Sequence, residues 1–255
     1  MENTLFKRFA STFCQYDGNP KSPQLLLASE GPLSCFYAPF DWVNPAARVV
    51  LVGITPGQTQ ADNALREAGA QLARGSSDAV ALLAAKRTGA FSGAMRPNLV
   101  AMLNHVGLRS WLGLSSCDAL FGAYADLLQT SSVLPFPVFV NGENYNGTPD
   151  IAKSGLLRSL VLEHFVPVLK ALPNAVFVPL GPVPTKVLDW LAGEGHVRAE
   201  QVLAGLPHPS GANAERIAYF LGTKPKHALS AKTDPIKLDQ ARAHLVAAVA
   251  RLPAA

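Results

Sequence analysis

The sequence predicts an α/β fold: a three-layer α/β/α sandwich around a central parallel sheet of four strands, in one domain spanning residues 1–255. Three observations carry this expectation. Four short apolar runs have the β-branched content of buried strands, and stretches of helical spacing separate them. The third is composition: 255 residues, 49% hydrophobic and 16% charged, suffice for one large α/β core. So apolar and varied a chain fits neither disorder nor a collagen-like or heptad repeat.

The strand runs are 48–53 (Arg-Val-Val-Leu-Val-Gly), 137–140 (Pro-Val-Phe-Val), 175–180 (Ala-Val-Phe-Val-Pro-Leu) and 201–206 (Gln-Val-Leu-Ala-Gly-Leu). Helical spacing covers 61–86, where Gly69 and Gly75 leave room for a division into two helices. It returns at 98–106, 153–172 and 185–191, and Ala-rich 238–252 closes the chain as an amphipathic helix. No internal repeat or low-complexity linker interrupts the pattern, so a single domain is the economical reading.

Several classes are set aside by composition. No apolar run reaches the roughly 18 residues of a membrane span, and residues 1–18 lack the apolar centre of a signal peptide. Cys14, Cys35 and Cys117 lie too far apart in sequence for a zinc or iron–sulfur spacing, and a reducing cytoplasmic setting fits them best. The balance of 22 basic to 18 acidic residues, a net charge of +4, permits a polyanionic partner without demanding one. Lys224, Lys226 and His227, with Lys232 and Lys237 beyond, form a loose basic segment in the last third.

In a parallel α/β sheet ligands bind beyond the carboxyl ends of the strands. Two of the post-strand loops carry motifs. The first, Gly53-Ile54-Thr55-Pro56-Gly57, is a tight turn opening a helix, where glycine allows close backbone approach and the helix start favours anionic groups. It lacks the Lys-Ser/Thr of a P-loop and the three glycines of a dinucleotide fingerprint. The other, Pro207-His208-Pro209-Ser210-Gly211, holds a histidine between two prolines that restrict the backbone on both sides. Ser210 and the amides around Gly211 are suited to a phosphate.

Gly-x-x-Pro-Gly after an early strand, paired with His-Pro-Ser after a late one, resembles the uracil-DNA glycosylase superfamily, over about residues 36–221. The first motif is similar to the Gly-x-Asn-Pro-Gly of the mismatch-specific and single-strand-selective branches. The iron–sulfur branches need four cysteines and this chain has three. The resemblance implies a base-excision DNA repair enzyme that flips uracil out of DNA and hydrolyses its N-glycosidic bond, working as a cytoplasmic monomer. It implies no metal or organic cofactor and no membrane partner.

It also assigns roles. His208 would donate to O2 of the departing uracil, and Asn141, at the end of 138–140, would read the uracil edge, with Asn144 and Asn146 as alternatives in the same loop. Phe91, in Gly89-Ala90-Phe91-Ser92, would stack on the flipped base. Gly53, Ile54, Pro56, Gly57 and Gln58 would line the base site. Ser210, Gly211, Arg216, Lys224 and Lys226 would contact DNA. Two positions depart from the pattern. Thr55 stands where the superfamily places an acidic or amide residue on water, which leaves Thr55 as a weak positioner and Gln58, Gln60 and Asp62 as substitutes. Ala212 stands where the classical branch has a wedging leucine, with Arg216 the larger neighbour. Two other classes remain open: a binding module on the same fold that has lost turnover through Thr55, and an unrelated α/β hydrolase, for which the chain has no Gly-x-Ser-x-Gly elbow.

Overall fold

The computed structural model describes residues 4–88 and 95–253. In chain order the strands are β1 (Leu26–Glu30), β2 (Leu33–Phe36), β3 (Val49–Gly53), β4 (Leu128–Ser132), β5 (Val138–Val140), β6 (Glu143–Asn144) and β7 (Val176–Pro179). The helices are α1 (Thr4–Cys14), α2 (Gln58–Ala73), α3 (Asp78–Thr88), α4 (Met95–His105), α5 (Leu108–Trp111), α6 (Gly155–Leu160), α7 (Val166–Ala171), α8 (Pro182–Gly193), α9 (Ala214–Phe220) and α10 (Pro235–Ala250). No helix among the described residues is long and apolar enough to cross a membrane. The α/β class is as the sequence predicts. The chain divides into two compact units, each assembled from three stretches of sequence.

The first unit comprises 1–43, 53–90 and 130–171. Helix α1 exists because Phe6, Phe9 and Phe13 recur at helical spacing and are buried on one face, with Phe9 stacked on Tyr37 at 4.6 Å between ring centroids. Its sheet is antiparallel, in the order β1-β2-β5-β6. The 61–86 region is indeed two helices, α2 and α3, parted at Gly75, whose φ of +79° suits glycine at a helix end. Helix α6 runs into α7 through a π-helical turn at Val161–Phe165. Together they cover the predicted 153–172 helix.

The second unit comprises 44–52, 91–129 and 172–255. The parallel sheet has the order β4-β3-β7, with Val49 to Val52 paired with Val176 to Pro179. The unit boundary passes through β4, between residues 129 and 130. Val49, Leu51, Val176 and Val178 pack with Leu99 and Met102 of α4 and Leu245 and Val249 of α10.

Two of the expected four parallel strands are corrected. Residues 138–140 do form a strand, but it pairs antiparallel with β2 and belongs to the other sheet. Residues 201–206 form no strand: only Val202 bridges Phe177, with Leu203 donating to the Phe177 carbonyl at 2.8 Å. Gly205, at φ +127°, then turns the chain out of the extended region, and Pro207 has no N–H to continue a ladder. The third parallel strand is β4, which sequence analysis overlooked. Helix α10 begins at Pro235, three residues before the expected start, because the Asp234 side chain caps it by accepting from Ile236 and Lys237 N–H.

Candidate functional site

The Gly53–Gly57 segment leaves the end of β3 and is laced to residues 133–138 within the first unit. Val133 N–H donates to the Gly53 carbonyl at 3.0 Å and Leu134 N–H to that of Ile54 at 2.9 Å. Thr55 completes the lacing with its side chain: its hydroxyl donates to the Phe136 carbonyl (2.9 Å) and accepts from Val138 N–H (3.2 Å). The hydroxyl proton is therefore committed to protein, and the residue is a strut. Nor does Thr55 cap α2, whose N-cap position is Gly57. The cap comes from the expected substrate-binding residue Asn144, whose Oδ1 accepts from Gln58 N–H at 2.9 Å, while Gln60 Oε1 accepts from Gly57 N–H at 2.9 Å. Pro56 is buried here and the Gln58 side chain is exposed.

Thr55→Val is accordingly expected to lower stability by about 1–3 kcal/mol, since it strips partners from a buried carbonyl and an amide while keeping the side-chain shape. Urea melts would check this, and an unchanged midpoint and slope would remove the strut.

The other water-side candidate is also occupied. Asp62 accepts from Tyr16 Oη at 2.7 Å and from Arg66 Nε at 3.0 Å. Burial raises its pKa, but the hydrogen bonds from Arg66 and Tyr16 outweigh it, so the carboxylate lies below its usual range and is a weaker base than an ordinary aspartate.

Asn141 is not at the edge of a parallel strand. With Gly142 it forms the two-residue loop between β5 and β6, both residues at positive φ (+51° and +82°), as a type I′ hairpin requires. Its side chain is exposed, its N–H donates to the Pro32 carbonyl, and Lys21 Nζ donates to the neighbouring Gly142 carbonyl. Asn146 is exposed as well. Asn-Gly between apolar runs is the strongest short-range hairpin signal a sequence offers, and the turn by itself accounts for the pair. Phe91 lies outside the described residues.

Ser132 takes the place expected of Asn141, at the carboxyl end of a parallel strand. Its hydroxyl is half-buried, and a methyl group on Gly53 would stand 3.5 Å from its Oγ. Sequence reasoning missed it because Gln129, Thr130, Ser131 and Ser132 do not read as a buried strand. A Ser-Ser pair just before Val-Leu-Pro was the available signal.

The His-Pro-Ser loop lies in the second unit. His208 Nδ1 accepts from Ser210 N–H at 3.2 Å. That bond needs an unprotonated Nδ1, so the ring proton sits on Nε2 and the imidazole is a neutral donor. Burial pushes its pKa below the usual 6.5, which keeps it neutral. The loop is held from two sides. Asn98 Nδ2 of α4 donates to the Pro209 carbonyl at 3.0 Å, and the Gly181 backbone lies so close that a Cβ there would be 3.4 Å from His208 Cβ. Ser210 accepts from Asn213 N–H (2.9 Å) and Nδ2 (3.3 Å), turning the chain toward α9 with Gly211 exposed.

The pKa direction gives a stability signature. The folded-state value lies below the unfolded 6.5, so on acidification the unfolded chain takes up the proton first. The contribution of His208 is full above 6.5 and is lost as pH falls below it, until the folded ring also protonates. Thermal melts between neutral and mildly acid pH should show wild type losing stability faster than His208→Gln. Parallel curves would contradict the buried, neutral assignment.

The expected DNA contacts divide. Arg216 is exposed, with Nη1 on Asn213 Oδ1 (2.7 Å) and Nη2 on the Lys232 carbonyl (3.1 Å). Lys224 is spent on Glu215, 2.8 Å away, whereas Lys226 is exposed.

No family model matches the chain, and no solved structure does. Over 201 residues it is 35% identical to "Uncharacterized protein YoxB" of Bacillus subtilis (strain 168), an alignment covering 78% of this chain and 78% of that protein. The chain belongs to the YoxB family. The shared span is long enough to include most of the elements described above, so the YoxB family is expected to share the α/β architecture.

Proposed function

We propose that the protein is a DNA glycosylase that hydrolyses the N-glycosidic bond of uracil in DNA, and that the parallel sheet is the centre of an α/β/α sandwich. The observation that carries the reading is His208: a half-buried, neutral imidazole whose Nδ1 is satisfied by Ser210 N–H, leaving Nε2–H as a fixed donor. When C1′–N1 breaks, the electron pair leaves with the base and charge builds on uracil O2. A donor already oriented there stabilises the transition state more than the ground state. Water then adds to the oxocarbenium-like C1′ and loses its proton to solvent or to the departing base. That centre is electrophilic enough for unactivated water, which suits a chain whose Thr55 and Asp62 are both engaged elsewhere. The target base must leave the stack, at a few kcal/mol.

The same engagement of Thr55 and Asp62 favours a second reading, a uracil- or lesion-binding module without turnover. Incubating the protein with uracil-containing single- and double-stranded oligonucleotides, then cleaving with alkali, separates them. Cleavage at uracil is expected. Tight uracil-dependent binding without cleavage would select the binding module, and neither would overturn both.

A further inference from the structure

Residues 222–233 form a long connection whose order comes from the first turn of α9. Beyond a short 3-10 turn at Lys226–Ala228 it has no regular structure, and connections of this length are uncommon unless they serve a function or are disordered. This one is tied down by two adjacent residues. Glu215 accepts from Lys224 Nζ (2.8 Å), from Ser230 N–H (3.1 Å) and Oγ (2.6 Å), and from Thr233 Oγ1 (2.5 Å), and Thr233 is buried. These bonds, Lys224 first, hold the Glu215 carboxyl far below the usual range. Arg216 fixes the Lys232 carbonyl.

The charge that remains outward has one sign. No acidic residue occurs between 216 and 233, and the Glu215 charge is matched by Lys224. Arg216, Lys226 and Lys232 are exposed. The acids at the start of α10 are themselves paired, Asp234 with Lys237 and Asp239 with Arg242. We propose that this loop is a preset platform for the phosphate backbone of DNA, with Lys226 and Lys232 as its phosphate contacts and Glu215 as its positioning residue. Helix α9 starts just after the His208–Gly211 turn, so the platform is continuous in sequence with that turn. The inference rests on the glycosylase reading for its choice of polyanion. Lys224, a contact on sequence grounds, becomes instead the ion-pair partner that orders the loop.

The test uses the full chain and a uracil-free duplex, with affinity measured from low to moderate salt. Each phosphate contact contributes about −0.9 to the slope of log affinity against log salt. Lys226→Ala/Lys232→Ala should therefore flatten the slope by about 2, and both residues are exposed, so folding is not at risk. Glu215→Ala is the sharper arm. It removes a negative charge, so charge alone would tighten binding; a positioning role weakens it and flattens the slope as well, with Glu215→Gln in between. A merely structural Glu215 would lower the melting temperature and leave the slope alone. An unchanged slope in the double variant, with wild type still excising uracil, overturns the platform and spares the glycosylase. Wild-type binding with the predicted slopes but no excision does the reverse. No wild-type binding to duplex overturns the platform and the DNA reading together.

Discussion

His208→Ala is expected to slow single-turnover uracil excision by about 10²–10³, the usual cost of one preorganised donor at a developing anion. The effect should fall on the chemical step, because the donor matters most when the base departs. Folding should survive: the loop keeps the Asn98 bond to the Pro209 carbonyl and the Ser210–Asn213 bonds, none of which uses the imidazole. His208→Asn, which keeps a donor on a shorter arm, should recover part of the rate. Single-turnover kinetics with a uracil-containing oligonucleotide would measure this. A rate within about twofold of wild type would take His208 out of the mechanism.

Gly181→Ala is expected to damage both stability and catalysis through one atom. Gly181 has φ +92° and ψ −178°, a region essentially confined to glycine, and a side chain there costs about 1–3 kcal/mol. For a protein of this size that is a fall of roughly 2–12 °C in melting temperature. The new Cβ would lie in van der Waals contact with His208, 3.4 Å from its Cβ and 3.9 Å from Cδ2, so the strain is in the backbone and not in a clash. Relief of the strained Gly181 backbone would carry the ring that rests on it, and a displacement of a fraction of an ångström misaims Nε2–H, so excision should fall by about 10–10²-fold. The variant should therefore lose rate well below its melting temperature, where it is fully folded. A protein that melts early but excises normally would show that the His208 loop does not lean on Gly181.

Much of the fold was readable from local pattern. The runs behind β3 and β7 are apolar along their length because parallel strands are buried on both faces, and the helices between them are marked by periodicity. Strand β4 was not readable, for the opposite reason. Its Gln129 is buried, but its polarity is met by partners distant in sequence, such as Asn44 N–H on Oε1 at 3.0 Å. A polar residue satisfied at long range looks exposed to any local reading. The 201–206 run misled in the other direction: Leu203 and Leu206 are buried, yet Gly205 and Pro207 deny it a ladder.

The site divides in the same way. The identity of His208, and the rigidity of its flanking prolines, were determined by the sequence alone, since proline restricts the backbone whatever surrounds it. So was the Asn141-Gly142 turn, whose chemistry is local, although its position after an apolar run drew it toward another role. Which ring nitrogen of His208 carries the proton, that the Thr55 hydroxyl laces its loop to Phe136 and Val138, that Asn144 caps α2, and that Ser132 ends a parallel strand were decided only by tertiary structure. Each depends on which donor or acceptor arrives from a segment elsewhere in the chain or from the turn of the loop itself. A hydrogen bond's partner is a matter of distance and angle, and these exist only once the chain has folded.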